Sequence, residues 1–179
     1  IDDLDAYRDD LSRFVFRSGM LMKPIFEAAR ATKRRLVFAE GEGGKMLQAC
    51  QLIVSERLAD VTLVGRPDVI QEKIKSMGLS IVPGQDFEIV DNLSDDVMTP
   101  IGEEYHALMA RRGMTPKAAQ TRVRANTTVV SSMLLHRGDA DAMLCGTFGT
   151  YGKHLRLVEE IVGRDEVSPV VGALTVLIL

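Results

Sequence analysis

The chain has 179 residues, 46% of them apolar and 26% charged, with a formal net charge of −3. That is enough chain for one ordinary domain with one core, in the balance of a soluble globular fold. Both signs of charge are interspersed, which gives no bulk case for nucleic acid, and no apolar run approaches the ~20 residues that span a bilayer.

Ile1 to Asp5 lack the basic and apolar regions of a signal peptide, and there is no initiator Met. The expectation is a piece of a longer chain. Asp5 to Ser18 reads as an amphipathic helix, with Tyr7, Leu11, Phe14 and Val15 on one face. A second short helix is expected from Pro24 to about Thr32.

The period then changes. Leu36-Val-Phe-Ala39 is a short apolar run that enters the glycine-rich segment Gly41-Glu-Gly-Gly-Lys45, a pattern for a buried strand and its loop. A helix follows through Met46, Leu47, Cys50, Ile53, Val54 and Leu58. Val61 to Gly65 is the next strand, and a helix opened by Pro67 closes at Gly78. Phe87 to Val90 is a third strand, and Asp91 to Gly102 is expected as a loop, with a helix from Glu103 to Arg112. Thr115-Pro116 is an N-cap followed by proline at the first helical position. Asn126 to Arg137 is a helix stopped by Gly138, Ala140 to Cys145 a strand, Gly152 to Val162 a helix, and Val170 to Leu179 a strand. Uniformly apolar strands alternating with helices predict a three-layer α/β/α domain with a mainly parallel sheet. A parallel core strand needs a following crossover, so the C-terminal part of the fold is expected to be missing after Leu179.

Two loops are candidates for binding. Gly41 to Lys45 departs from the G-x-x-x-x-G-K-[ST] pattern at Ala39 and Met46, and from G-x-G-x-x-G at Met46, so a plain strand-to-helix turn is the simpler reading. Glu40 and Glu42 make it acidic, which suits a phosphate only if a basic group lies opposite. Cys145 to Gly152 is the stronger candidate. Its glycines permit close backbone approach, and the hydroxyls of Thr147 and Thr150 and the N–H groups of the next helix suit an anion. Arg156, one turn into that helix, offers a bidentate cation. A glycine-rich turn with a solvated arginine has the same composition, so both readings stay open. Asn126-Thr127-Thr128 serves either as a helix cap or as a polar pocket wall. Cys145 is expected as a small core residue, and Arg122 and Arg124 as solvated. Cys50 and Cys145 belong to no CxxC cluster, and His106, His136 and His154 show no metal-ligand spacing, so a reducing cytoplasm is the expected setting.

Several segments together resemble phosphate acetyltransferases: Arg35-Leu-Val-Phe-Ala-Glu-Gly41, Leu58-Ala-Asp-Val-Thr-Leu-Val-Gly65, Arg112-Gly-Met-Thr-Pro116, Arg137-Gly-Asp-Ala-Asp-Ala142, and Cys145-Gly-Thr147 running on to His154-Leu-Arg156. Tyr7-Arg-Asp-Asp-Leu11, Phe14-Val15 and Ser18-Gly-Met-Leu-Met-Lys-Pro-Ile25 resemble the junction of bacterial hybrid malic enzymes, in which a malic enzyme domain precedes a phosphate acetyltransferase-like domain. Ala39 also fits the hybrid type. The resemblance implies a linker helix over 1–19 and the first part of such a domain over 20–179, with an isocitrate/isopropylmalate dehydrogenase-like fold.

The implied function is regulatory: binding of acetyl-CoA or a related acyl-CoA, through Gly146, Thr147, Thr150, Arg156, Asn126 and Thr128, by a homo-oligomeric malic enzyme. NADP and Mg²⁺ or Mn²⁺ would belong to the malic enzyme domain, with no cofactor expected in this segment. Three departures from active acetyltransferases argue against catalysis: Met109 and Ala110 stand where those carry an Arg-Lys pair, Gly149 where they carry histidine, and Leu157 where proline follows the arginine. Their catalytic serine, arginine and aspartate would fall beyond Leu179. An active phosphate acetyltransferase and a purely structural oligomerisation module are the alternatives.

Overall fold

A computed structural model describes residues 22–164 and 171–172. The helix expected over 5–18 lies outside them, and so does the strand expected over 170–179, apart from Val171 and Gly172, which are not in a strand. The chain runs through α1 (22–31), β1 (Arg34–Phe38), α2 (Gly44–Ser55), β2 (Ala59–Val64), α3 (Pro67–Ser76), β3 (Phe87–Val90), α4 (Asp95–Met109), α5 (Pro116–Ala125), α6 (Thr127–Arg137), β4 (Ala142–Leu144) and α7 (Tyr151–Ile161).

The four strands pair in parallel in the order β3-β2-β1-β4. Side chains alternate across the sheet, so each face has its own core. Leu36 and Phe38 of β1, Val61 and Leu63 of β2, and Phe87 and Ile89 of β3 meet Leu47 and Cys50 of α2 and Ile70 and Ile74 of α3. Val37, Val64 and Val90 point the other way, against a layer built by α4 to α7. Three layers follow, as the apolar strands predict.

Helix α6 is the centre of the second layer. Seven consecutive residues, Thr128 to Leu134, are buried, so it is covered all round rather than along one stripe. Its ends are set by chemistry visible in the sequence. The Asn126 side chain accepts from the N–H groups of Thr128 and Val129, and Gly138 closes the helix in a left-handed conformation, φ 78°.

The segment read as a loop, Asp91 to Gly102, is a correction. Helix α4 begins at Asp95 and carries Pro100 inside it. The proline removes one helical N–H, whose acceptor would be the Asp96 carbonyl, but Asp96 is exposed, so solvent is available to that carbonyl. The gain is an apolar stripe at helical spacing, with Met98, Ile101, Tyr105 and Met109 all buried. A short 3₁₀ turn over Ala110–Arg112 ends at Gly113, φ 82°. Strand β4 is also shorter than expected.

Candidate cleft beyond the strand ends

Strand β1 has β2 on one side and β4 on the other. The helix after β1 covers one face of the sheet and the helix after β4 covers the other. The two connecting loops therefore part at the C-terminal ends of β1 and β4, the place where open parallel sheets form a crevice. Two adjoining cavities of about 380 and 410 Å³ occupy it and share Glu40, Thr127 and Phe148 in their walls.

The loop after β1 forms the first wall. Gly41 is there for close approach: its N–H bonds the Val64 carbonyl at 3.0 Å, and a Cβ would lie 2.8 Å from both that oxygen and the Leu63 Cβ. Glu42 does not stand free in the cleft. Arg66 grips it bidentately, Nε to Oε1 and Nη2 to Oε2 at 2.8 Å each, and adds its backbone N–H at 3.0 Å. The Arg66 hydrogen bonds hold the Glu42 carboxyl below its usual range against the opposing effect of partial burial. Lys73 donates to the Glu42 carbonyl at 2.6 Å. Glu40 reaches across the crevice, and the Gly146 N–H donates to its two carboxylate oxygens at 2.9 and 3.2 Å.

The start of α6 forms the floor and α7 the far wall. His154 bridges them. Its Nε2–H donates to the Phe148 carbonyl, which can only accept, so in the neutral ring Nδ1 accepts from the Thr128 hydroxyl at 3.0 Å. Thr128 is buried, and Ser132 Oγ donates to its carbonyl at 2.8 Å. The loop after β4 is thus held at two points, by Glu40 at Gly146 and by His154 at Phe148.

The residues expected from sequence divide here. Asn126 and Thr128 line the larger cavity, and Asn126 caps α6 as well, so both of its readings hold. Gly146 is beside the cleft, but its N–H is engaged by Glu40 rather than open to an anion. Thr147 and Thr150 are exposed, and Thr150 is the N-cap of α7 without a side-chain cap bond. Arg156 lies elsewhere. Two residues beyond His154 is about 200° around a helix, and Arg156 lines a separate depression with Arg112, Glu159, Glu160 and Arg164.

Cys145 is half-buried rather than a core residue. Arg122 and Arg124 are not merely solvated: Arg122 pairs with Glu160 at 3.1 Å and Arg124 with Asp95 at 2.8 Å, tying α5 to its neighbours. Met109 is 1% exposed and packs in the second-layer core, so that position presents no group to the cleft.

The lining residues not picked out as site candidates from the sequence include Phe148, Lys153 and His154. The signal for Phe148 was an apolar side chain set in a loop between Gly146 and Gly149. For Lys153 and His154 it was their place in the first turn of the helix that this loop feeds. Among the described residues no group of three or more His, Cys, Asp or Glu side chains is placed to hold a metal ion, and no helix is long and apolar enough to cross a membrane.

A three-layer domain with a parallel sheet and a crevice at the point where its loops part defines a class of open α/β domain. Two solved structures share that architecture. The chain superposes on EutD phosphotransacetylase from Staphylococcus aureus with a TM-score of 0.69 at 17% identity, over 81% of this chain and 44% of that one. A phosphotransacetylase from Streptococcus pyogenes gives 0.66 at 21% identity, over 78% and 42%. The profile described as phosphate acetyl/butaryl transferase matches residues 20–179, and the chain belongs to that family.

Its relatives include the NAD-dependent malic enzyme of Rhizobium meliloti, 47% identical over 92% of this chain and 21% of that protein. The NADP-dependent malic enzyme of Haemophilus influenzae is 44% identical over 100% and 24%, and the phosphate acetyltransferase of Clostridium acetobutylicum 32% identical over 76% and 40%. The chain spans less than a quarter of the length of these two malic enzymes.

Proposed function

We propose that this domain senses acetyl-CoA, or a related acyl-CoA, and regulates a malic enzyme that oxidatively decarboxylates malate to pyruvate with NADP. The observation that carries the reading is a pairing: relatives named as malic enzymes match all or nearly all of the chain, while its fold is that of phosphotransacetylases. The burial of Met109 supports a binding rather than a catalytic role, because an apolar core residue supplies no cation to a phosphate in the cleft. The effector is proposed to bind in the cleft beside Asn126, Thr128 and the loop carrying Gly146, Thr147 and Thr150. NADP and Mg²⁺ or Mn²⁺ would act in a preceding malic enzyme domain joined through residues 1–19, in a cytoplasmic homo-oligomer whose domain has the isocitrate/isopropylmalate dehydrogenase-like fold.

Regulation requires the effector to bind two states of the enzyme with different affinity, since equally tight binding to both shifts nothing. Inhibition is the expected sign, because acetyl-CoA lies downstream of malate-derived pyruvate. The test is calorimetric titration of acetyl-CoA into the full-length protein alongside malate turnover with NADP and with NAD. Binding accompanied by lower turnover is expected; binding with no change in turnover defeats the regulatory reading.

A second reading, an active phosphate acetyltransferase, is favoured by the family match. Formation of acetyl phosphate from acetyl-CoA and phosphate by the full-length protein would establish it. A purely structural module would instead leave acetyl-CoA inhibition intact when the domain is deleted, and change only the assembly.

A further inference from the structure

We propose that Phe148 and Lys153 hold the nucleotide end of the ligand: the base stacks on the Phe148 ring, and a phosphate pairs with the Lys153 ammonium. The proposal rests on the acyl-CoA reading and adds which end of that molecule lies at this wall of the cleft.

Phe148 is 70% exposed, although phenylalanine is a residue of interiors, and it lines both cavities. It is not on a loose loop. His154 holds its carbonyl, and buried Thr128 holds His154. Gly149 makes this possible: its φ of 89° turns the chain directly after Phe148, and a Cβ there would press on His154 Nε2 at 3.0 Å. A ring carried on an anchored backbone loses little freedom when a planar ligand settles on it, and any base offers a π-face to it.

The charges give the ligand a direction. Around the two cavities Lys73 is engaged by the Glu42 carbonyl. Lys153 lines the larger cavity and forms no ion pair among the described residues. It stands in the first turn of α7, where the helix end also favours an anion. Glu40, rooted in the loop after β1, brings its carboxylate to the Gly146 N–H where the two cavities adjoin, and a carboxylate repels phosphate. A ligand with a planar base and phosphates is therefore placed with its charge toward α7 and its uncharged arm toward the loop after β1.

The test is calorimetry on the full-length protein with acetyl-CoA, with ADP and with pantetheine. Phe148→Ala is expected to weaken acetyl-CoA and ADP by about tenfold to a hundredfold, and Phe148→Tyr, which keeps the ring, to restore both. Lys153→Gln is expected to weaken both and to reduce the dependence of affinity on salt. Pantetheine affinity should not change in any variant. If acetyl-CoA binds wild type and Phe148→Ala equally, the proposal falls and the sensing role stands. Loss of pantetheine binding in Phe148→Ala, with ADP binding kept, puts the ring on the acyl arm and overturns the proposal. Absence of acetyl-CoA binding to the wild type overturns both.

Discussion

The Thr128 hydroxyl lies 3.0 Å from Nδ1 of His154 and is the link by which a buried helix positions an exposed loop. Thr128 sits at the buried start of α6, and His154 in the first turn of α7. With Nδ1 occupied, the other ring nitrogen is directed at the Phe148 carbonyl. The hydrogen bonds that support this cleft wall therefore lead back to the core.

Thr128→Val keeps the shape and removes the hydroxyl. His154 then loses its partner in a half-buried site, and a destabilisation of about 1 kcal/mol is expected. Amide exchange in residues 145–150 should quicken at the same time. Urea midpoints and hydrogen exchange read the two effects, and unchanged exchange in that loop would show that His154 does not anchor it.

Gly41→Ala places a Cβ against backbone and Cβ atoms of β2 that have nowhere to move. The strain of overpacking should cost about 1–3 kcal/mol. A thermal melt of the variant beside wild type is sufficient, and an equal midpoint would mean that the loop can lift off β2.

The ion pair between Arg35 and Asp141 ties the start of β1 to β4. Asp141 accepts from the Arg35 backbone N–H at 2.8 Å, from Nε at 3.3 Å and from Nη2 at 2.7 Å. Those hydrogen bonds hold the Asp141 carboxyl down at about 2, against an unfolded value near 4. A carboxyl depressed on folding stabilises fully above its unfolded pKa, and the contribution is lost as pH falls toward the folded one. The stability difference between wild type and Asp141→Asn should thus be constant from neutral pH to about 5 and shrink between about 4 and 2. Urea titrations at stepped pH measure it, and a difference that persists undiminished at the acid end would contradict the assignment.

Burial pushes the Cys50 thiol up to about 12, and burial first, with Glu40 nearby, raises Cys145 as well. The thiolate is the reactive species. Native protein at pH 8 should take up iodoacetamide slowly at half-buried Cys145 and not at Cys50 until it unfolds. Mass spectrometry of the labelled peptides decides the order, and early labelling of Cys50 would show that its helix opens locally.

Arg156 faces a different depression from Asn126 and Thr128. Arg156→Ala is accordingly expected to alter acetyl-CoA affinity by no more than about twofold, the size of an ordinary surface substitution. A tenfold loss on calorimetric titration would bring Arg156 back to the site.

Much of the fold was legible because its signals are local. The apolar runs at Leu36–Ala39 and Val61–Val64, the cap at Asn126, the proline after Thr115 and the glycines at 113 and 138 each act within a few residues of themselves. Helix α4 was hidden because Pro100 is read as a breaker, while the compensation lies in the buried stripe from Met98 to Met109 and in solvent at Asp96. The glycine-rich loop after β4, a candidate from its composition, borders the cleft, but the sequence did not show which face of α7 lies beside it.

By itself, then, the sequence determined β1 to β3, several of the helix ends and the parallel three-layer class, because periodicity and capping are properties of neighbouring residues. Tertiary structure alone decided that Glu40 meets the Gly146 N–H across 106 residues, that Glu42 is claimed by Arg66, and that Lys153 rather than Arg156 lines the cavity beside Asn126. Those outcomes depend on which strands pair and how each helix is rotated against the sheet. Both are set by packing between segments far apart in the chain, where local pattern carries no information.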